Sequence, residues 1–196
     1  EALDIDMLHE LATVIDEATK AYESFDHARA LEVTESFFWS FCDDYLELVK
    51  NRAYSDPSSE GAQSAVSALR LALDAMLRLL APVLVFATEE VWSWRHQESI
   101  HQAPWPTRSE LNVAENNHPG LFSLTSEALI ALRRAKTDRQ LSQRAPVTAV
   151  TLRAPGLLSA AQSDLQALGS IETLLLEEGE SIELIDFVPA EPVAEG

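Results

Sequence analysis

The stretch Phe37-Phe38-Trp39-Ser40-Phe41-Cys42-Asp43-Asp44-Tyr45-Leu46-Glu47-Leu48-Val49-Lys50 constrains the fold more than any other part of this chain. Leu31, Phe38, Phe41, Tyr45 and Leu48 recur at three- and four-residue steps, the repeat of an amphipathic helix with one face in a core. Other segments share that period. Met7, Leu8, Leu11, Val14, Ile15, Ala18 and Tyr22 predict a first helix, broken at Ser24-Phe25-Asp26. Asp26 is a good N-cap for the second helix, which runs towards Tyr54. Asp56-Pro57 predicts the opening of a third, with Asp at the cap and Pro in the first turn. Its apolar stripe is Val66, Leu69, Leu73, Met76, Leu77 and Leu80. Pro82 lacks an N–H and clashes with the preceding turn, so a kink or short break is expected there. Phe86, Val91 and Trp94 then resume the period to about Gln97.

From Glu98 to Gly120 the pattern dissolves into Pro, Asn, His and Ser, with Trp105 as the large apolar anchor of a long loop or linker. Leu124, Ala128, Leu129, Leu132, Ala135 and Leu141 predict a further helix carrying a basic cluster on its exposed side. The character then changes. Val147 to Leu152 is β-branched and alternating, hence a strand. Leu157 to Leu168 predicts a short helix closed by Gly169. Ile171–Leu176 and Ser181–Phe187 predict two more strands, with Glu177-Glu178-Gly179-Glu180 as a hairpin turn between them. The expected architecture is mainly α: an antiparallel helical bundle over residues 1–122, then a helix and small α+β unit over 123–188. A flexible Pro/Ala/Glu-rich tail is expected over 189–196.

At 196 residues the chain can bury a substantial core. No apolar run approaches the roughly 20 residues that span a bilayer, and the acidic start Glu1-Ala2-Leu3-Asp4 is not a secretory signal. One cysteine excludes an internal disulfide framework and fits a reducing cytoplasm. The start at Glu1 rather than Met is expected of a piece of a longer chain. The net charge of −18 repels phosphate backbones, but it is uneven. Residues 1–60 carry 15 acids against 4 Lys/Arg, and 146–196 carry 9 against 1. Residues 123–145 reverse the sign, with 5 Lys/Arg against 2 acids.

Little here supports an enzyme. The five histidines are scattered, none at metal-ligand spacing with Cys or acid, and no Gly-rich phosphate loop or nucleophile elbow occurs. Cys42 lies on the apolar stripe and reads as a packed thiol. Asp43, Asp44 and Glu47 read as a solvated helix face rather than paired catalytic carboxylates. Trp39 and Trp92 read as core. For the remaining candidates two readings stand side by side. Trp94-Arg95-His96 offers an aromatic face beside cations at a helix end, and bases stack on such faces at about 1–3 kcal/mol each. Lys50 and Arg52 either contact phosphates or complement the helix dipole. Arg133, Arg134 and Lys136, in the basic segment 133–144, are either a solvated face or a phosphate-contacting one.

Three segments taken together carry a resemblance. The Phe41-Cys42-Asp43-Asp44-Tyr45-Leu46-Glu47-Leu48 stretch, Leu79-Leu80-Ala81-Pro82 through Glu89-Glu90-Val91-Trp92, and Ala103-Pro104-Trp105-Pro106 follow in the order and spacing of the helical anticodon-binding domain of class I, bacterial-type valyl-tRNA synthetases. The resemblance covers residues 7–188. It implies a class I anticodon-binding bundle that docks the anticodon stem-loop of tRNA(Val) and is joined to the remainder of the synthetase chain. It also implies a cytoplasmic monomer, without membrane contact, that activates valine with ATP and Mg in a catalytic domain upstream of Glu1. The catalytic signatures, a His-x-Gly-His type motif and a Lys-Met-Ser-Lys type loop, do not occur in this sequence, so the segment itself is expected to be non-catalytic. The family's leading anticodon-domain helix would precede Glu1, and a C-terminal coiled-coil arm has no counterpart before Phe187-Val188-Pro189. The competing expectation is an acidic helical scaffold for protein partners that does not bind RNA, supported by the charge of residues 1–60.

Overall fold

A computed structural model describes residues 1–111 and 113–190. Helix α1 (Ala2–Glu23) begins earlier than its stripe predicts and buries Leu3, Met7, Leu8, Leu11, Ile15 and Ala18. Helix α2 (His27–Ser40) starts at the expected cap, the Asp26 carboxylate accepting from the Arg29 N–H at 3.0 Å. It runs through a π-turn (Phe41–Tyr45) into α3 (Leu46–Ala53). Phe37, Phe41 and Tyr45 stack in series on the inner side, at 6.2 and 5.4 Å between ring centroids.

The inner face of α2 differs from the expected one. Ala30, Val33, Thr34 and Phe37 are buried, whereas Leu31 and Phe38 are half-buried and Trp39 is 54% exposed. The expected stripe ran one helical period across the π-turn, which takes an extra residue per turn and rotates the face. Trp39 is therefore not core. Its indole N–H donates to Glu35 at 3.4 Å.

Helix α4 (Glu60–Leu80) is capped by Ser59, not Asp56. Asp56 instead ties the preceding turn, accepting from the Ser58 N–H at 2.9 Å. The innermost residues of α4 are small: Ala62, Ala65, Ala68, Ala72 and Ala75, followed by Met76, Leu79 and Leu80. Of the expected stripe, Val66, Leu69, Leu73 and Leu77 flank this ridge, half-buried. Alanine lets α4 approach its neighbours closely while keeping high helix propensity.

The break at Pro82 occurs as expected, Val83 and Leu84 both donating back to the Leu80 carbonyl. Helix α5 (Val85–Ser93) is short, and Phe86 and Trp94 lie on its outside rather than continuing an inner stripe. In the following loop Trp105 packs edge-on against Tyr22 and donates to the Thr19 hydroxyl at 2.8 Å.

Helix α6 (Leu121–Asp138) lacks a cap of its own. Asp6 of α1 supplies it, its carboxylate accepting from the N–H groups of Gly120 and Phe122 and from the Asn116 amide. A buried carboxylate at a helix N-terminus satisfies otherwise orphaned donors and meets the positive end of the helix.

Strands β1 (Val147–Ala154), β2 (Ile171–Glu178) and β3 (Glu183–Pro189) form one sheet in the order β2-β1-β3. A 3₁₀ turn and α7 (Gln162–Leu168) return the chain so that β2 runs parallel to β1. The expected β2–β3 hairpin is wrong. The two strands are opposite edges, and residues 179–182 cross the end of β1, with β3 antiparallel to it. Gly179 is needed at that crossing because a Cβ there would fall on the Arg153 side chain. Pro189, expected in the tail, closes β3 opposite Val147. The rest of that tail, 191–196, lies outside the described residues. One continuous core joins the bundle to the sheet, from Leu3, Tyr45 and Ala72 through Leu129 to Leu152, Leu165 and Phe187.

Candidate nucleic-acid interface

Arg52 and Lys136 are occupied within the fold. Arg52 leaves the last turn of α3 on the buried spacing Tyr45–Leu48–Val49–Arg52. Its Nε and Nη2 donate to Asp164 of α7, at 2.7 and 3.2 Å. Nη1 and Nη2 donate to Asp4 of α1, at 2.9 and 2.8 Å, and Nη1 also reaches the Gly61 carbonyl at 3.0 Å. All five guanidinium N–H groups are thereby used.

Burial lowers the affinity of this guanidinium for its proton, but the hydrogen bonds and charges of Asp4 and Asp164 outweigh burial and hold its pKa above the ordinary value. The two carboxylates diverge. Burial pushes Asp4 up, yet Arg52 together with the Ser64 and Tyr45 hydroxyls keeps it below the usual range. Asp164 has no such extra donors, and burial leaves it above that range. The cluster clamps α1, α3, α4 and α7 together.

Lys136 is equally committed. Only 2% exposed, its Nζ donates to the carbonyls of Gln143, Ala145 and Gly169 at 2.8, 2.9 and 2.8 Å, one per ammonium proton. It pins the segment after α6 and the end of α7. Burial pulls its pKa down from the ordinary lysine value. The N–H donors of Arg52 and Lys136 are all spent on partners inside the protein, which leaves neither group a proton free for a phosphate.

The other cations remain outside. Arg133 is half-exposed and joins α6 to the π-turn, donating to the Asp44 carboxylate at 3.0 Å and the Asp43 carbonyl at 2.8 Å. Arg134 is the most open, its side chain 83% exposed and its nearest acid, Asp138, at 3.8 Å. Lys50 is paired with Glu47 at 3.2 Å on the neighbouring helix surface. Glu47, Leu132, Arg133, Lys136, Gln143 and Arg144 are among the residues lining a cavity of about 190 Å³ at this corner, Lys136 with its ammonium turned to the three carbonyls. Arg144, within the basic segment but not singled out from it, is an exposed member of that rim. Cations clustered around a concavity are the footprint expected for a phosphate backbone.

Trp94, Arg95 and His96 do not join that corner. They end α5, where Arg95 pairs with Asp74 of α4 at 3.0 Å. His96 stacks face to face on the buried Trp92, at 3.6 Å between centroids. Trp94 is 70% exposed and donates to Glu90 at 3.2 Å. The expected solvated acids are in part structural: Asp44 anchors Arg133, while Asp43 is exposed. Cys42 is half-buried, and its thiol pKa is raised by burial and by the charge of Asp43, which disfavours a nucleophilic thiolate. Among the described residues no group of His, Cys, Asp and Glu is arranged to hold a metal, and no helix is long and apolar enough to cross a membrane.

The helical bundle belongs to a class that sequence similarity identifies. Residues 4–151 match the family model described as "Anticodon-binding domain of tRNA ligase", and the chain belongs to that family. Its relatives narrow the class further. It is 46% identical over 190 residues to a valine–tRNA ligase of Leifsonia xyli subsp. xyli, covering 95% of the chain and 22% of the relative. It is 47% identical to the valine–tRNA ligase of Thermobifida fusca, covering 97% and 22%. The Bifidobacterium longum (strain NCC 2705) valine–tRNA ligase is 41% identical over the whole chain and again 22% of the relative. The chain thus spans about one-fifth of the length of the relatives it matches.

Proposed function

We propose that this chain is the anticodon-stem-loop docking module of a valine–tRNA ligase and that it takes no part in the bond-making chemistry. The observation that carries the proposal is the similarity to valine–tRNA ligases, which extends over 95–100% of the chain and so across bundle and sheet. The ligase would join valine to tRNA(Val) with ATP and Mg in its catalytic region, as the family resemblance implies. Within the present chain the backbone contact falls to Arg133 and Arg144, which line the cavity between α3, α6 and the end of α7, with the exposed Lys50 and Arg134 on the same two helices as its walls. Trp94 supplies a separate aromatic face.

A few cations on a strongly acidic molecule give local, salt-sensitive contact rather than indiscriminate attraction. That suits a module that must hold one stem-loop in register. Titration with a labelled tRNA(Val) anticodon stem-loop at low salt tests it. Binding that weakens when Arg134 and Arg144 are replaced by alanine is the expected result. Binding indifferent to both substitutions removes the basic corner as the contact surface.

A further inference from the structure

The irregular turn between α2 and α3 faces the basic corner. There the Leu46 N–H reaches back five residues to the Phe41 carbonyl, one residue further than in an α-helix. The turn is firmly seated. Tyr45 is fully buried, donates to Asp4 at 2.8 Å and packs edge-on against Phe122 of α6, at 5.8 Å between ring centroids. From this platform the Asp43 carbonyl and the Asp44 carboxylate both accept from one distant side chain, the guanidinium of Arg133.

The Asp44 side chain is 14% exposed and that of Arg133 37%, so the more buried acid holds the more open cation. Two of the five Arg133 N–H groups are taken, one on Nη1 and one on Nη2. The other three have no acceptor among the described residues, and the side chain lines the corner cavity. Arg134, one residue on, has no such anchor. Net charge does not account for the arrangement. A carboxylate beside an arginine cancels part of its attraction for phosphate, so by charge alone Asp44 opposes RNA binding. What it supplies is orientation. An arginine already held by one part of its guanidinium loses less freedom on meeting a phosphate, and its remaining N–H groups offer a two-pronged contact.

We propose that Asp44, seated in the π-turn with the Asp43 carbonyl beside it, is a positioning residue that presents Arg133 to a backbone phosphate of the RNA. The proposal rests on the proposed function and deepens it: Arg133 holds one phosphate by orientation, whereas Arg134 and Arg144 act by charge.

The test titrates the 196-residue chain with the labelled tRNA(Val) anticodon stem-loop at low salt. It compares wild type, Asp44→Ala, Asp44→Asn, Arg133→Ala and the Asp44→Ala/Arg133→Ala double variant. Asp44→Ala is expected to bind about 2- to 10-fold more weakly, the cost of ordering one long side chain, although it removes a negative charge. In the Arg133→Ala background the same change is expected to tighten binding or leave it alone, because only the charge effect remains. Asp44→Asn keeps an acceptor and is expected to fall between wild type and Asp44→Ala. Asp44→Ala binding as tightly as wild type, or more tightly, overturns the proposal, and so does equal weakening in both backgrounds. Either result leaves the proposed function standing, whereas a wild type that does not bind the stem-loop removes both. A second readout needs neither RNA nor a variant: nitrogen NMR relaxation of the arginine Nε–H groups. Arg133 is expected to be markedly more rigid than Arg134, and equal mobility overturns the proposal.

Discussion

Arg52 and Arg134 are both arginines near the C-terminal end of an amphipathic helix, yet they do opposite work. Arg52 is held by two carboxylates and a carbonyl from three other parts of the chain and clamps the bundle to the α+β unit. Arg134 touches only an exposed acid four residues on. Lys136, two residues from Arg134, repeats the contrast within a single helix. A cation placed on the apolar spacing of its helix becomes internal structure, whereas one placed off that spacing is left for solvent or a ligand. Arg52 continues Tyr45–Leu48–Val49, and Lys136 continues Leu129–Leu132, both buried rows. Arg134 is off the row.

The largest effect that sharpens this contrast is expected at Arg52. Replacing it by methionine leaves two buried carboxylates without their cation, which costs about 3–5 kcal/mol, read as a lower midpoint in urea unfolding. The same cluster sets an acid dependence. Asp4 has a folded pKa below its unfolded one, so its contribution is complete above the ordinary carboxylate range and is lost as pH falls through the depressed value. Asp164 and Glu10, both raised by burial, act in the opposite sense and oppose folding as pH rises through the carboxylate range. An Asp4→Asn variant is therefore expected to be less stable at neutral pH and to lose less stability than the wild type between about pH 4 and pH 2, measured as unfolding free energy against pH.

Next in size is Lys136→Met, which strands three buried carbonyls and costs about 2–3 kcal/mol. It is expected to leave the salt dependence of RNA binding unchanged in the protein that remains folded. Arg134→Ala and Arg144→Ala show the reverse pattern. Stability stays within about 0.5 kcal/mol of wild type. The slope of log binding constant against log salt falls by about 0.7–0.9 for each cation removed. Smallest is Lys50→Ala, whose exposed pair with Glu47 contributes no more than about 0.5 kcal/mol. A thermal melt should barely move.

Much of the fold was legible because apolar period is local. The breaks at Asp26 and Pro82, the change from bundle to α+β unit, and the strand at Val147 all follow from short-range patterns. Two misreadings came from geometry that the apolar period does not carry. The π-turn at Phe41–Tyr45 rotated the inner face of α2, and the 179–182 segment crosses β1 instead of turning back on β2. For the site, exposed and internal cations look alike in composition, because their partners lie far off in sequence: Asp4 is 48 residues from Arg52 and Asp164 is 112. A usable signal did exist. Asp4 stands on the Leu8–Leu11–Ile15 row of α1, so an acid and a cation on apolar rows called for each other. The small-residue ridge of α4 was visible as alanines, but large side chains drew the expected stripe to its flanks.

The measurement that bears most directly on the account is a salt-dependent titration of the chain with the tRNA(Val) anticodon stem-loop, beside a stem-loop of altered anticodon, for wild type and an Arg134→Glu/Arg144→Glu variant. The account predicts anticodon-dependent binding at low salt that the charge reversal abolishes while the melting temperature is unchanged. Wild-type binding that survives the reversal, or no binding at any salt, would contradict it, and the latter outcome would favour the acidic scaffold.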